Sequence, residues 1–322
     1  MTSSIIIAAS GLCLLPLLLT GLPVAFSILA VCLGYMLVVG MQPDIIGSTM
    51  FWFLNKSSLV AIPFFILSAE ILSRSGATNA LVKASNVLCG RLPNGLALVT
   101  VLAIMVFSAI SGSSVATAVA IGRVMIPQLI ENGYKVRFSV GLVAASGGLG
   151  ILIPPSIPLI VYAAVVEISV GDLFISALLP GLTLGSMLFG FVLLVGDWAR
   201  TGGAVPEEEP PTIQERWSAI LQGLPMFCFP LVILGGIYGG VFTPTEAAAV
   251  SVILALALSL TIYRSANLAD HTRILVRSGT MAATILIIMA ATSVLSYLLS
   301  YEQIPKAVTE LITRSEVSPI VF

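Results

Sequence analysis

Long apolar runs separated by short polar turns make up most of the chain. A membrane-spanning helix needs about 20 predominantly apolar residues, because the hydrocarbon core of a bilayer is about 30 Å thick. The pattern predicts an all-α polytopic membrane protein. The predicted spans cover residues 4–20, 24–40, 58–73, 138–166, 173–195, 219–238, 245–263 and 279–300, with a polar loop over residues 41–57.

One stretch departs from this pattern, because its two apolar arms are too short to cross a bilayer. Leu96–Ile110 corresponds to about 22 Å of helix and Val115–Ile130 to about 24 Å. Between them lies the polar tip Ser111-Gly-Ser-Ser114. Backbone that turns at membrane depth must face protein or a water-filled cavity. We therefore predict a re-entrant hairpin over residues 96–130.

The tip has the chemistry of an ion or substrate site. The first arm ends there with free carbonyl groups, and the second arm begins there with free N–H groups. We predict Na⁺ ligands at Ser111, Gly112 and Ser113, and substrate contacts at Ser113 and Ser114. A plain polar loop between two full spans, with Ser114 as an N-cap, is the alternative.

The next span, residues 138–166, contains an unusual density of helix-breaking residues. In a helix interior, Gly costs about 1 kcal/mol and Pro about 3 kcal/mol relative to Ala. The pattern predicts an unwound segment with carbonyls for Na⁺ and a restarted half-helix with amides for a carboxylate; a packing kink without a ligand is the alternative. The predicted Na⁺ positions are Gly147, Gly148 and Gly150, and the predicted substrate positions are Pro154, Pro155 and Ser156.

Three charges lie close to or within apolar segments. Arg123, in the second arm, is a candidate to attract an anionic substrate, and a structural ion pair is an equal alternative. Glu70 is expected to reach the membrane surface from the end of its span. Glu246 follows Thr243-Pro-Thr, a sequence typical of a helix start, so helix capping explains it.

Composition narrows the class of protein further. The chain is 58% hydrophobic and 9% charged, whereas soluble domains carry about 25% charged residues. The net charge of −1 gives no sign of nucleic-acid binding. The single histidine and the absence of HExxH, GxSxG and Walker A patterns argue against an enzyme.

A polar segment divides the chain into two similar halves. Residues 197–217, which contain Pro206-Glu-Glu-Glu-Pro-Pro211, predict a cytoplasmic linker. On each side of it, a Gly…Pro turn is followed by a polar loop, a span and an amphipathic stretch. We predict inverted repeats over residues 1–196 and 218–322, the second incomplete. The first would comprise scaffold spans over residues 4–73, an interfacial helix over 76–91, the hairpin 96–130, the broken span 138–166 and a span over 173–195.

The distribution of Lys and Arg predicts the orientation. Alternating the predicted spans places 10 of the 14 basic residues on one side, which the positive-inside rule assigns to the cytoplasm. The N-terminus is then periplasmic. The ten residues are Arg74, Lys83, Arg91, Lys135, Arg137, Arg200, Arg216, Arg264, Arg273 and Arg277.

Three segments carry a resemblance to a known family. They are ISGSSVATAVAIGRVMIP (110–127), GLVAASGGLGILIPPSIPLIVYA (141–163) and GGIYGGVFTPTEAAAV (235–250). Together with GLPVAF and IPFFILSAEIL, they resemble the large membrane subunit of the tripartite ATP-independent periplasmic (TRAP) transporters. The resemblance covers essentially the whole chain.

The resemblance implies an inverted-repeat, elevator-type fold and a secondary transporter that imports organic acids with Na⁺ as coupling ion and no other cofactor. It implies a small four-helix membrane subunit and a periplasmic substrate-binding protein as partners, in the bacterial inner membrane. Ser111–Ser114 and Gly147–Ser156 would form the first-repeat half of the Na⁺ and substrate region.

Family members continue past this length into a second hairpin and a second broken helix. The chain is therefore expected to be truncated at its C-terminus and not to transport alone. The alternatives are a stand-alone Na⁺/anion transporter of similar fold and, in a different class, a non-transporting membrane scaffold. The sequence does not identify the substrate.

Overall fold

A computed structural model describes residues 13–200, 212–263 and 268–314 of the chain. Its regular elements in these residues are helices, and seven helical segments are long and apolar enough to cross a membrane. The predicted all-α polytopic class is therefore confirmed. The seven segments are Ser57–Arg74, Ser114–Glu131, Val136–Val166, Val170–Val195, Ile213–Tyr238, Pro244–Tyr263 and Thr272–Tyr301.

Most of the described helices follow one another with short connections. Helical residues 13–19 lead into α1. In chain order the helices are α1 (Val24–Val39), α2 (Asp44–Leu54), α3 (Ala61–Arg74), α4 (Ala77–Cys89), α5 (Gly95–Ser111), α6 (Ser114–Glu131), α7 (Val136–Gly147), α8 (Leu149–Leu152), α9 (Ile157–Val166), α10 (Val170–Val195), α11 (Ile213–Tyr238), α12 (Pro244–Leu258), α13 (Leu268–Tyr301) and α14 (Ile304–Arg314). A 3₁₀ turn, Ser57–Val60, precedes α3, and a π-helical turn, Ser259–Tyr263, follows α12.

The chain divides into two compact units. One contains residues 1–56 and 283–322, and the other contains residues 57–282. This division differs from the predicted repeats, since each unit combines residues from both sides of the linker. Compactness does not test an internal symmetry, so the repeats stay a prediction.

The first unit is built around α1 and the C-terminal part of α13. Cys32 and Met36 of α1 are buried in one apolar cluster with Ala291 and Val294 of α13. Tyr35 lies in the same cluster and donates its hydroxyl hydrogen bond to the Glu302 carboxylate.

The second unit is built around α5, most of whose residues are buried. Near its N-terminal end, Leu98 and Val101 pack with Leu142 of α7 and Val192 of α10. At the other end, Ala109 packs with Leu149 and Ile153 of the broken span. The candidate site therefore lies within one compact unit, at the C-terminal end of its most buried helix.

Helix α4, predicted to lie along the membrane interface, packs one face against protein. Seven of its residues, including Ala80 and Ala84, are buried. A Cβ atom added at Gly223 of α11 would collide with the Cβ of Ala84 and lie 2.9 Å from the carbonyl oxygen of Ala80. The two helices thus approach closely because position 223 has no side chain.

Two boundaries differ from the sequence prediction. Residues 41–57 are not a loop throughout, because α2 covers Asp44–Leu54 and begins with an acidic residue that favours a helix N-terminus. Helix α11 begins at Ile213, earlier than the predicted start at residue 219, because Thr212 and Glu215 form a capping box. Residues 201–211 of the predicted linker lie outside the described residues.

Two of the three charges near apolar segments, Glu70 and Glu246, have partners in the structure. Glu70 Oε1 accepts a hydrogen bond from Arg74 Nε at 2.7 Å and lies 3.4 Å from Arg277 Nε. Glu246 accepts from the Thr243 amide at 2.8 Å in a second capping box. Its role as a helix cap is therefore confirmed.

The approach of α4 to α11 predicts opposite effects for two glycines of the same helix. Gly223→Ala should lower the apparent melting temperature of the purified protein, since overpacking costs about 1–3 kcal/mol. Gly235→Ala should leave it unchanged or raise it, since nothing lies within 4 Å of an added Cβ and Ala is favoured over Gly by up to about 1 kcal/mol. Thermal unfolding in detergent measures both, and equal melting temperatures would contradict the packing.

Candidate functional site

Two helices joined by a very short tip occupy the predicted hairpin. The second helix, Ser114–Glu131, is itself long and apolar enough to cross a membrane, so the re-entrant placement of the hairpin stays a prediction. Helix α5 ends at Ser111, and Gly112 takes the left-handed conformation, with φ of 61° and ψ of 16°. Ser113 is extended and caps α6, and its Oγ accepts a hydrogen bond from the Ala116 amide at 3.4 Å. The sequence folds this way because glycine adopts positive φ freely and serine favours the N-cap position.

A small network of oxygens lies inside the tip. Ser111 Oγ and Thr117 Oγ1 are 2.6 Å apart and buried. Ser111 Oγ is also 3.3 Å from the carbonyl oxygen of Ser113, which accepts the Thr117 amide at 3.0 Å. Two hydroxyls and one carbonyl thus face one another at the start of α6. Sequence reasoning missed Thr117, although a threonine one turn beyond a polar tip is a recognisable signal.

The predicted broken span is interrupted at its prolines rather than at its glycines. Helix α7 runs through Gly147, Gly148 forms a turn, and α8 resumes at Leu149. The chain is non-helical from residue 153 to residue 156, with a cis peptide bond between Pro154 and Pro155. The unwound carbonyls predicted at the glycines therefore fall a few residues later.

The tip and the break meet through their backbones. The amide of Ile157 donates to the carbonyl of Gly112 at 3.1 Å. A Cβ at Gly112 would lie 2.6 Å from the carbonyl oxygen of Pro155 and 3.3 Å from the Cα of Ser156. The side chain of Ser156 turns back and donates to the Ile151 carbonyl at 2.8 Å, so it is buried in the break.

Two glycines of the broken span let it lie against α6. A Cβ at Gly150 would lie 2.8 Å from the carbonyl of Ser113 and from the amide nitrogen of Ser114. A Cβ at Gly147 would lie 2.9 Å from the Cβ of Ala118. These glycines act here as close-packing positions, and their predicted role as Na⁺ ligands stays a prediction.

The structure brings most of the predicted site residues together, and it places Arg123 apart from them. Ser111 to Ser114 lie against Gly150 and the Pro155–Ile157 backbone. Arg123 is exposed on α6 and stands nine residues beyond Ser114, about 14 Å along the helix axis. It is therefore separated from the tip, and its contact with substrate stays a prediction.

Three helix ends converge at this contact. The C-terminus of α5 presents carbonyl groups, and the N-termini of α6 and α9 present amides. Such a site can attract a cation to hydroxyl and carbonyl oxygens, and an anion to N–H groups. In the described part of the chain, no three His, Cys, Asp or Glu side chains come together as metal ligands. A cation here would be held by neutral oxygens, which suit hard ions.

Two buried hydroxyls beside the contact have no hydrogen-bond partner in the described structure. They are Ser108 Oγ, one turn before the tip in α5, and Ser146 Oγ, next to Gly147. An unsatisfied buried hydroxyl costs about 1–3 kcal/mol. Buried hydroxyls of this kind usually bond to an ordered water.

Comparison with known proteins places this arrangement in a family. Residues 12–322 match the family model of the tripartite ATP-independent periplasmic transporter, DctM component. The chain belongs to the DctM family of TRAP transporter permeases. The resemblance noted in the sequence is thereby confirmed, and the DctM chain described here is a subunit of a multi-pass membrane transporter.

Several curated DctM relatives are similar over most of this chain. The C4-dicarboxylate TRAP transporter large permease of Rhodobacter capsulatus is 35% identical over 321 residues, covering 95% of this chain and 72% of the relative. The ectoine large permease of Halomonas elongata is 35% identical, with 94% and 71% covered. The 2,3-diketo-L-gulonate large permease of Escherichia coli is 32% identical, with 93% and 70% covered. These relatives are named as permeases rather than enzymes.

The close approach of Gly150 to the Ser113–Ser114 backbone predicts that a side chain at position 150 weakens the hydrogen bond between the tip and the break. In Gly150→Ala, the Ser113–Ser114 backbone must move away, which breaks the bond from Ile157 to Gly112. Amide exchange of Ile157 should accelerate by about tenfold, the factor for roughly 1.4 kcal/mol of lost hydrogen bonding. Gly141→Ala in α7 is the matched control, because nothing lies within 4 Å of its added Cβ. Equal exchange in both variants, read by mass spectrometry, would refute the contact.

Proposed function

We propose that this DctM chain is the large permease subunit of a Na⁺-coupled, binding-protein-dependent importer of organic acids. The convergence of the α5, α6 and α9 termini on the Ser111–Thr117 oxygens carries the proposal. A Na⁺ ion would be held by Ser111 Oγ, Thr117 Oγ1 and the Ser113 carbonyl. The N–H ends of α6 and α9 would receive a substrate carboxylate, because helix N-termini favour anions.

The chemistry of the donor set supports Na⁺ rather than a transition metal. The three oxygens are uncharged and lie in a largely buried tip, so binding a monovalent ion needs no deprotonation of a ligand. The predicted positions Gly147 and Gly150 support the site by allowing close packing against α6, and Pro154, Pro155 and Ser156 shape the break. When bound, the ion supplies a positive charge that favours an anionic substrate at the same contact.

Two of the relatives support an organic acid as the substrate. The Rhodobacter protein is named for C4-dicarboxylates and the Escherichia coli protein for diketogulonate. We propose a periplasmic binding protein and a small four-helix membrane subunit as partners. We also propose an inner-membrane location with the N-terminus in the periplasm.

Uptake into proteoliposomes tests this function. The protein encoded by the complete reading frame is reconstituted into liposomes together with its small membrane partner. The binding protein, loaded with a radiolabelled organic acid, is added outside. An inward Na⁺ gradient should drive accumulation, and dissipating it with a sodium ionophore should stop it. Accumulation that persisted without Na⁺ would contradict Na⁺ coupling. Accumulation without the binding protein would indicate a stand-alone transporter instead.

The tip oxygens predict the Na⁺ dependence of a single variant. Thr117→Val keeps the side-chain shape but removes one oxygen of the network, so the Na⁺ concentration for half-maximal uptake should rise about tenfold or more. Thr183→Val is the matched control, because among the described residues the Thr183 hydroxyl donates to the Leu179 carbonyl on the exposed face of its own helix. An unchanged Na⁺ dependence in Thr117→Val would remove Thr117 from the site.

A further inference from the structure

A second set of contacts lies at the base of the hairpin, at the opposite end of α5 from the tip. Tyr134, in the turn after α6, is buried and donates its hydroxyl hydrogen bond to Asn94 Oδ1 at 3.3 Å. The same hydroxyl accepts from Arg200 Nη2 at 3.1 Å. One tyrosine thus joins the residue just before α5 to a residue just after α10.

Packing reinforces these hydrogen bonds. The Arg200 guanidinium lies 4.9 Å from the centroid of the Tyr134 ring, and that ring also stacks on Phe138 at 5.6 Å. A cation over an aromatic face is stabilised further when it is partly desolvated. Burial raises the pKa of Tyr134, so its hydroxyl keeps the proton that it donates to Asn94 at neutral pH.

The backbone adds a second connection at the same place. The Lys135 amide donates to the Ala199 carbonyl at 3.0 Å, and Tyr134 and Arg200 form an antiparallel bridge. Lys135 Nζ donates to the Trp198 carbonyl at 3.0 Å and lies 4.5 Å from the Trp198 ring centroid. The residues that follow α10 are therefore fixed to the turn that leaves the hairpin.

Asn94 is also held by the close approach of α10. Its backbone is left-handed, with φ of 58°. A Cβ at Gly196 would collide with the Asn94 side chain and lie 2.6 Å from its Nδ2. Asn94 Nδ2 and Arg200 Nε are buried without a partner among the described residues, so the Tyr134 hydroxyl is the hydrogen-bonding link that orients both side chains.

We propose that Tyr134, Asn94 and Arg200 form a clamp that joins the two ends of the segment 94–200 and stays closed throughout transport. The segment contains the hairpin, the broken span and α10, so both the tip and the break belong to it. Tyr134 is a positioning residue in this proposal. It acts on the site by holding the segment together as one body, and it does not touch the ion or the substrate.

The energetics favour a clamp that does not open during the cycle. Opening it would leave Asn94 without a side-chain partner and would remove Arg200 from both the hydroxyl and the ring. Each unpaired buried polar group carries a desolvation cost, and a charged group carries more. The only part of the proposal that rests on the proposed function is the statement about transport; the closed clamp itself can be tested without it.

The first test weakens the clamp in two independent ways. Tyr134→Phe removes the hydroxyl and keeps the ring, and Gly196→Ala pushes against Asn94. Each should lower the maximal uptake rate by about tenfold while leaving the substrate concentration for half-maximal uptake unchanged. The controls are Tyr263→Phe and Gly190→Ala. Tyr263→Phe loses one hydrogen bond to the Gln222 carbonyl, and the Cβ added in Gly190→Ala has nothing within 4 Å. Wild-type rates in Tyr134→Phe would overturn the proposal.

The second test replaces the clamp with a covalent bond. Tyr134 and Arg200 do not exchange backbone hydrogen bonds with each other, and such antiparallel pairs have Cα atoms about 4.5 Å apart, within the range for a disulfide. The double variant Tyr134→Cys/Arg200→Cys should transport slowly when reduced and recover after oxidation. The single variant Tyr134→Cys, oxidised in the same way, controls for the native cysteines.

Each outcome of the disulfide test decides the matter. Recovery after oxidation supports a clamp that stays closed. Loss of the remaining uptake after oxidation, reversed by a reductant, would show that the clamp must open and would overturn the proposal. Failure to cross-link in detergent would show that the two ends are not adjacent, and this readout needs no transport. Absence of uptake in the wild-type complex would instead count against the proposed function.

Discussion

The candidate site depends on one direct backbone contact, between the tip of the hairpin and the break in the following span. A tip and a break each interrupt helical hydrogen bonding, and peptide groups in apolar surroundings must find partners. Here the Ile157 amide and the Gly112 carbonyl satisfy each other. The contact is short enough because neither Gly112 nor Gly150 has a side chain to separate the two backbones. The two interruptions of helical hydrogen bonding thus stabilise each other, and polar groups lie around their contact.

The tip and the break were predictable because their local sequences are so unlike a helix. A Ser-Gly-Ser-Ser tip between apolar arms, and prolines within an apolar span, leave few alternatives for the backbone. The same reasoning placed the unwound segment at the glycines, whereas Gly147 and Gly150 are close-packing positions in the structure, and their role as Na⁺ ligands stays a prediction. Unwinding and close packing both require the absence of a side chain, so composition does not distinguish them. The chain unwinds at Pro154 and Pro155 instead, because proline lacks the N–H group and excludes a continuous helix.

Other features could not be read from the sequence because their partners are distant or concealed. Tyr134 and Arg200 are 66 positions apart, and no local pattern connects a tyrosine in a turn to an arginine after another helix. The approach of α4 to α11 at Gly223 likewise depends on tertiary packing. In contrast, Thr117 and the capping box that starts α11 have local signals, and closer attention to hydroxyl spacing would have found them.

The hairpin is held at both of its ends by the same physical device, in which a glycine permits close approach and a hydrogen bond crosses the gap. At the tip the pair is Gly150 with the bond from Ile157 to Gly112, and at the base it is Gly196 with the bond from Tyr134 to Asn94. Between these points α5 is almost fully buried and closely packed. Packed interiors have low compressibility and transmit strain rather than absorb it. We therefore expect a displacement at the tip to be carried along α5 to the base, where the two ends of the segment lie together.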